Sequence, residues 1–170
     1  MASSLKYPIT GTVHADEFWI GESEEKKRGR SHGKKKQVAI LLEILEDGVG
    51  RAYAEGIKNA SSKELGRFLK KYVSKDANVV SDKWRGYTPL RKHFKKLEQV
   101  ESADGKNFKD IHIHIMNIKG WLRGIHHHCS KERLQGYLDE YHYRYNRRTH
   151  MGVIFNLLLK RMIENEPKRL

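Results

Sequence analysis

One cysteine, Cys129, is all the thiol this 170-residue chain has, which excludes an internal disulfide and a zinc ribbon of paired thiolates. Long apolar runs are missing too. No stretch of 18 apolar residues exists, and Met1 to Thr10 has no continuous apolar core of signal-peptide length. The expectation is a soluble, cytoplasmic protein with no membrane partner. Acidic charge is also scarce: 21 Asp and Glu stand against 34 Lys and Arg, a formal net charge of +13. Such a surface draws in polyanions from a distance, and nucleic acid leads the list of partners. A hydrophobic content of 38% with 9% aromatics is that of a folded chain, and the length suits one domain with a sizeable core.

What is present begins with the run from Val13 to Ile20, flanked by Gly11 and Gly21, which reads as a strand. It carries two adjacent carboxylates, Asp16 and Glu17. Successive strand residues face opposite sides, so the two acids cannot share a partner, and an acid turned inward needs a cation or a hydrogen-bond donor. After Gly21 the composition changes. Lys26, Lys27, Arg28, Arg30, Lys34, Lys35 and Lys36 put seven cations among two glycines, a loop suited to following a phosphate backbone.

Val38 to Leu45 and Arg51 to Ile57, joined by a turn at Gly48, form a hairpin, so three antiparallel strands come first. Leu65, Phe68, Leu69, Tyr72 and Val73 then mark a helical stripe, with Ser61 and Glu64 at capping-box spacing. Asn78 to Ser81 is a short strand ending on Asp82. The stretch from Trp84 to Phe94 is a loop leading into a short helix, Leu97 to Val100 a further strand, and Ala103 to Gly105 a turn. Ile111 to Ile115 alternates as a strand would, but Ile111, Ile115, Ile118 and Leu122 continue at helical spacing, and helix is the expectation. Ser130 caps a helix carrying Leu134, Tyr137, Leu138, Tyr141 and Tyr145 on one face, and a last helix spans about Val153 to Met162.

Three antiparallel strands, helix, strand, helix, strand and helices is the order of a ribonuclease-H-like α/β domain, a mixed five-stranded sheet with flanking helices and a helical C-terminal part. In it the first and fourth strands are parallel neighbours. Asp16 and Asp82 then meet, and oxygen ligands brought together in this way suit Mg²⁺ or Mn²⁺.

The segments from Ala15 to Gly21, Ser81 to Tyr87, Asn117 to Gly124 and Leu138 to Arg148 resemble, in order, the signature blocks of ISXO-like insertion-sequence transposases. The resemblance runs from Gly11 to Leu159. It implies a single DDE-type catalytic domain over 1–170, with a core at about 11–125 and a helical part at about 130–165. Such a domain cuts transposon ends and joins their 3′ hydroxyls to target DNA with two divalent ions, as a homo-oligomer on DNA. Asp16 and Asp82 match the family's first two acids. The third departs, because no Asp or Glu lies between Ile111 and Arg123. Counting back seven residues from Lys119, the family's basic residue, lands on His112; Asn117 is the alternative. Seven residues are nearly two turns, so His112 shares a face with Lys119 and Asn117 points away. DNA contacts are expected from the basic loop and from Arg123, Arg144, Arg147 and Arg148. Many relatives carry a zinc-binding and DNA-binding region ahead of this domain; here the first strand begins near residue 12, and the expectation is a domain without that region, as a fragment, a truncated product or a protein that finds its DNA ends by other means. The tract from His126 to Cys129 is read as a phosphate contact or helix end rather than a metal site. Two other functions remain open: an inactive remnant that still grips DNA, and a nuclease of the same fold.

Overall fold

The structure, a computed structural model, describes residues 8–21, 35–126 and 129–164, without the side chains of 151 and 161. Five strands form one mixed sheet: β1 (Thr12–Ile20), β2 (Lys36–Leu45), β3 (Gly48–Ile57), β4 (Asn78–Ser81) and β5 (Leu97–Gln99), in spatial order β3-β2-β1-β4-β5. β1 pairs antiparallel with β2 and β2 with β3, while β4 runs parallel to both β1 and β5. Helices α1 (Ser62–Tyr72), α2 (Lys109–Ile125), α3 (Lys131–Tyr145) and α4 (Met151–Glu164) complete it. This is the ribonuclease-H-like α/β arrangement that the element order predicts.

The alternation of β1 divides the core between the two faces of the sheet. Val13 and Ala15 join Leu65, Phe68, Leu69 and Tyr72 of α1 on one side. Phe18 and Ile20 join Ile111, Ile115, Ile118 and Leu122 of α2, with Leu134 and Leu138 of α3, on the other. The ambiguous stretch around Ile111 is helical because its apolar residues bury at i, i+4, i+7 and i+11, whereas Ile113, which a strand pattern would also bury, is 40% exposed. Caps fall where the hydroxyls predict them. Ser61 Oγ accepts from the Glu64 N–H at 3.5 Å, and Ser130 Oγ from the Arg133 N–H at 3.3 Å. α1 stops at Tyr72, one residue short of its apolar stripe, because Val73 is extended and bridges to Ile9. Between β5 and α2 the chain reverses through Ala103, Asp104 and Gly105, all at positive φ.

α2 and α3 are clipped together by two buried histidines. His142 Nδ1 lies 2.7 Å from the Leu138 carbonyl, to which it donates, so its Nε2 accepts from His114 Nε2 at 3.3 Å. Burial holds His114 down at about 3 and His142 at about 4, and both are neutral.

β3 is an outer strand, and its outward peptide groups are closed by side chains rather than by another strand. The Asn146 amide donates to the Ala52 carbonyl at 2.9 Å and accepts from the Ala52 N–H at 2.8 Å. Gln135 accepts from the Gly56 N–H at 3.1 Å and donates to the Ala54 carbonyl at 3.3 Å. Arg148 donates to the carbonyls of Val49 and Gly50. Each primary amide stands in for a peptide unit of a missing neighbour, which blunts an edge that would otherwise invite pairing with another chain. Asn146→Ala therefore leaves both Ala52 groups unmatched. It should lower stability by about 1–2 kcal/mol in urea unfolding and raise self-association in sedimentation, whereas Asn146→Gln should restore part of both.

Candidate active site

The parallel register pairs Ala15 with Ser81, so Asp16 and Asp82 occupy the next position on each chain, at the carboxyl end of the β1–β4 pair. Asp16 lies on the α2 side of β1, together with Phe18. From α2, His112 Nε2 comes within 3.2 Å of Asp16 Oδ2. The other Asp16 oxygen accepts from the Glu17 N–H at 2.7 Å. Burial raises the Asp16 pKa above the usual carboxylate range. The Glu17 N–H and His112 oppose the shift, while the charge of Asp82 adds to it. Asp82 Oδ1 accepts from the Trp84 N–H at 3.0 Å, and Gln99 Nε2 bridges the carbonyls of Asp82 and Trp84 at 3.3 and 2.9 Å. The loop that presents Asp82 is thus tied to β5.

Lys119 lies farther along the same side of α2, its Nζ 5.5 Å from the centre of the Phe18 ring. Asn117 is exposed, on the side that helix geometry predicts. The structure therefore brings Asp16 and His112 into contact, sets Asp82 beside them and leaves Asn117 out. Gly105 makes room for this: a Cβ there would meet His112 Nδ1 at 2.8 Å, and its φ is +85°.

Among the described residues no three His, Cys, Asp or Glu side chains converge closely enough to hold an ion as they stand. The donors nevertheless fit one. The 3.2 Å between His112 Nε2 and Asp16 Oδ2 is close to the roughly 3 Å bite of adjacent ligands on an octahedral cation with bonds near 2.1 Å. A carboxylate that burial pushes toward neutrality is also a group that a cation would relieve.

One further group was not singled out from the pattern, and the partner of a second was not foreseen. His14, two residues before Asp16 on the same side of β1, packs its ring against Phe108 at 5.4 Å, and its buried Nδ1 has no hydrogen-bond partner among the described residues. Burial lowers its pKa, against the pull of Asp110. Glu17, on the opposite side of β1, is inward as well: it accepts from the Tyr87 hydroxyl at 2.9 Å. Burial pushes Glu17 up to about 7, with the charges of Asp16 and Asp82 adding to the shift and Tyr87 opposing it. Alternation said that the two acids part; it gave no sign that His112 meets one and the buried Tyr87 the other.

A family model described as the ISXO2-like transposase domain matches residues 8–146. The chain belongs to this transposase family. No curated protein and no solved structure matches it significantly. The match spans the sheet and α1 to α3 of the transposase fold and contains Asp16, Asp82 and His112, while α4 lies beyond it. DNA is the partner that membership implies, and no helix among the described residues is long and apolar enough to cross a membrane.

The basic residues of the transposase divide by what they already touch. Lys26, Lys27, Arg28, Arg30 and Lys34 lie outside the described residues. Lys36 Nζ donates to the Cys129 carbonyl, and Lys35 is half-buried. Arg123 is exposed, and Arg144 is exposed with only a loose ion pair to Glu140 at 3.7 Å. Arg147 and Arg148 are occupied: their guanidinium groups stand 3.9 and 4.1 Å from the centres of the Tyr143 and Tyr145 rings and donate to backbone carbonyls. His126 caps α2 and stacks on Tyr137 at 3.8 Å, while 127 and 128 lie outside the described residues.

The Glu17 shift carries a definite pH dependence in the metal-free protein. Its folded pKa of about 7 exceeds the ordinary carboxylate value, so between about pH 4.5 and 7 the folded state holds a proton that the unfolded state has lost, and stability falls as pH rises. Glu17→Gln, which imitates the protonated acid, should match the parent near pH 5 and exceed it by on the order of 2 kcal/mol at pH 8. Urea melts at the two pH values in chelator check this, and a Gln variant with no pH-dependent gain would show that Glu17 ionises freely.

Proposed function

We propose that this transposase domain carries out metal-dependent DNA cleavage and strand transfer, with Asp16, Asp82 and His112 as the ligands of a divalent cation, Mg²⁺ or Mn²⁺. The observation that carries the reading is the contact of His112 with Asp16 beside Asp82, just past the carboxyl end of the stretch over which β1 and β4 pair. In open α/β sheets the crevice beyond the strand ends is where ligands bind. Asp16, Asp82 and His112 would hold such a cation, and when bound it would supply activation of water or a 3′ hydroxyl and offset the charge that builds at phosphorus.

The chain's own residues do the rest. Asp16 supplies negative charge from the central strand and Asp82 from a loop tied to β5, so little reorganisation accompanies the reaction. His112 contributes a neutral nitrogen where an acid would add a second charge to Asp16. Lys119, on the same side of α2, is placed to take a phosphate oxygen of the strand being cut. Arg123 and Arg144, together with the cations from Lys26 to Lys36, hold the flanking backbone without reading its sequence. Arg147 and Arg148 contribute less to that grip, being committed to tyrosine rings and carbonyls. Pairing of two DNA ends by a homo-oligomer is part of the same reading.

Duplexes made from the DNA flanking the gene, incubated with Mg²⁺ or Mn²⁺, test the proposal. Asp16→Asn and Asp82→Asn should each lower cleavage at least a hundredfold with DNA affinity nearly unchanged, and a variant within threefold of the parent would remove that residue from the site. Protein that binds but does not cut in either metal would be a DNA-binding remnant; cutting without strand transfer would be a nuclease.

The third ligand has its own test. An imidazole in place of a carboxylate favours Mn²⁺ over Mg²⁺, since Mn²⁺ accepts nitrogen more readily. His112→Glu should therefore narrow the gap between the two metals, and His112→Ala should depress cleavage in both. A His112→Ala variant that is fully active would hand the position to another residue.

A further inference from the structure

We propose that the cleft beside Asp82, floored by Trp84, receives a single unpaired base of the DNA strand being cut. The inference rests on the transposase reading above and adds a second subsite to it. The cleft has a cavity volume of about 460 Å³ and is lined by Ala60, Ser61, Trp84, Arg85 and Gly86, among others. That size falls within the roughly 300–1,000 Å³ of ordinary ligand pockets.

Its floor is built rather than incidental. Trp84 is 38% exposed, although its size favours burial. Its orientation is nonetheless fixed, because the indole Nε1–H donates to the Ala60 carbonyl at 2.8 Å. Gly86 is what permits that approach: a Cβ at this position would meet the Ala60 oxygen at 2.5 Å and Trp84 Nε1 at 2.6 Å.

The clamp above the ring stands open. Arg85 holds its guanidinium 5.6 Å from the Trp84 ring centre, whereas Arg147 and Arg148 close on their tyrosines at 3.9 and 4.1 Å. A base in contact on both faces asks for about 7 Å between its two neighbours, so a flat ring lying on the indole would push the exposed Arg85 outward, and the displaced guanidinium would stack on the other face of the base or meet the phosphate of the same nucleotide. The serine hydroxyls on the wall can meet the polar edge of any base.

The position of the cleft selects the ligand. The Trp84 N–H donates to Asp82 Oδ1, and Gln99, itself held by the Thr88 hydroxyl at 3.0 Å, binds the carbonyls of both residues. Acid and indole therefore belong to one rigid loop, and a strand laid across Asp82 brings a neighbouring nucleotide over Trp84. A base paired in duplex already has its faces and edge occupied, so only an unpaired one can enter. Stacking on a π face tolerates every base, so the pocket would favour unpaired DNA without strong sequence preference.

The test compares two duplexes of one sequence in chelator, one fully paired and one carrying a single unpaired 2-aminopurine, by titration of its fluorescence and by competition. The parent protein should bind the second duplex about tenfold more tightly and quench its fluorescence. Trp84→Ala and Gly86→Ala should abolish the preference and the quenching while binding to the paired duplex stays the same. Trp84→Phe should retain most of both, and Arg85→Ala, at an exposed position, should lose part. Equal binding of both duplexes by the parent, with no quenching, would overturn the pocket while leaving the transposase reading intact. Binding to neither would overturn both. Displacement of the bulged duplex by an equal concentration of a free deoxynucleoside monophosphate would assign the cleft to a small nucleotide and overturn the proposal as well.

Discussion

Two half-buried carboxylates in the middle of a sheet set the terms for everything around them. Asp16 and Glu17 are adjacent on β1, the central strand of the five, and each is pushed above the ordinary carboxylate range by burial. Desolvating an ionised carboxylate without compensation is among the larger penalties a fold can carry. The chain answers it differently on each face: an imidazole from α2 meets Asp16, and a phenol from the loop after β4 meets Glu17. Both answers depend on the crossover through α1, which returns β4 parallel to β1 and delivers Asp82, Trp84 and Tyr87 together to one end of the sheet.

That dependence explains how much could be read without coordinates. The strand and helix periods, the caps at Ser61 and Ser130 and the turn at Ala103 to Gly105 are local signals, and each element formed where its pattern pointed. Placing Asp16 beside Asp82 needed only the rule for parallel neighbours. Naming His112 needed the family's offset from Lys119, and helical spacing then preferred it to Asn117. The contacts of Glu17 with Tyr87, of Gln135 and Asn146 with β3, and of Gly86 with Ala60 join residues from 26 to 94 positions apart, as the numbering shows. No period encodes such pairs, so nothing in the sequence announced them.

The tyrosine- and arginine-rich end of α3 serves the fold as well as the expected phosphate contacts. By composition its arginines belong on phosphate, and that was the expectation for Arg144, Arg147 and Arg148. In the fold Arg148 closes the peptide groups of Val49 and Gly50, next to the place where Asn146 closes Ala52, and Arg147 packs on Tyr143. These side chains do for β3 what another strand would do, and the open edge is where a sheet protein is most exposed to unwanted pairing. Arg144, with its loose ion pair, keeps the freedom that a phosphate contact requires.

On the proposed assignment of His112 as third ligand, the charge balance of the site also changes. With two acids and an imidazole, the donors carry one negative charge fewer than three acids would, and Glu17, the nearest further carboxylate, faces away. The shortfall matters less here than on an exposed surface. Burial already strains Asp16 toward neutrality, and a third acid at the position of His112 would have been a second like charge within about 3 Å of it, an arrangement in which one of the two takes up a proton. His112 avoids that conflict while still offering a lone pair. Its cost falls on the choice of metal, because a nitrogen donor narrows the range of ions that bind well. On this argument the departure from three acids trades electrostatic pull for a site whose two remaining carboxylates can both stay ionised once a cation is bound.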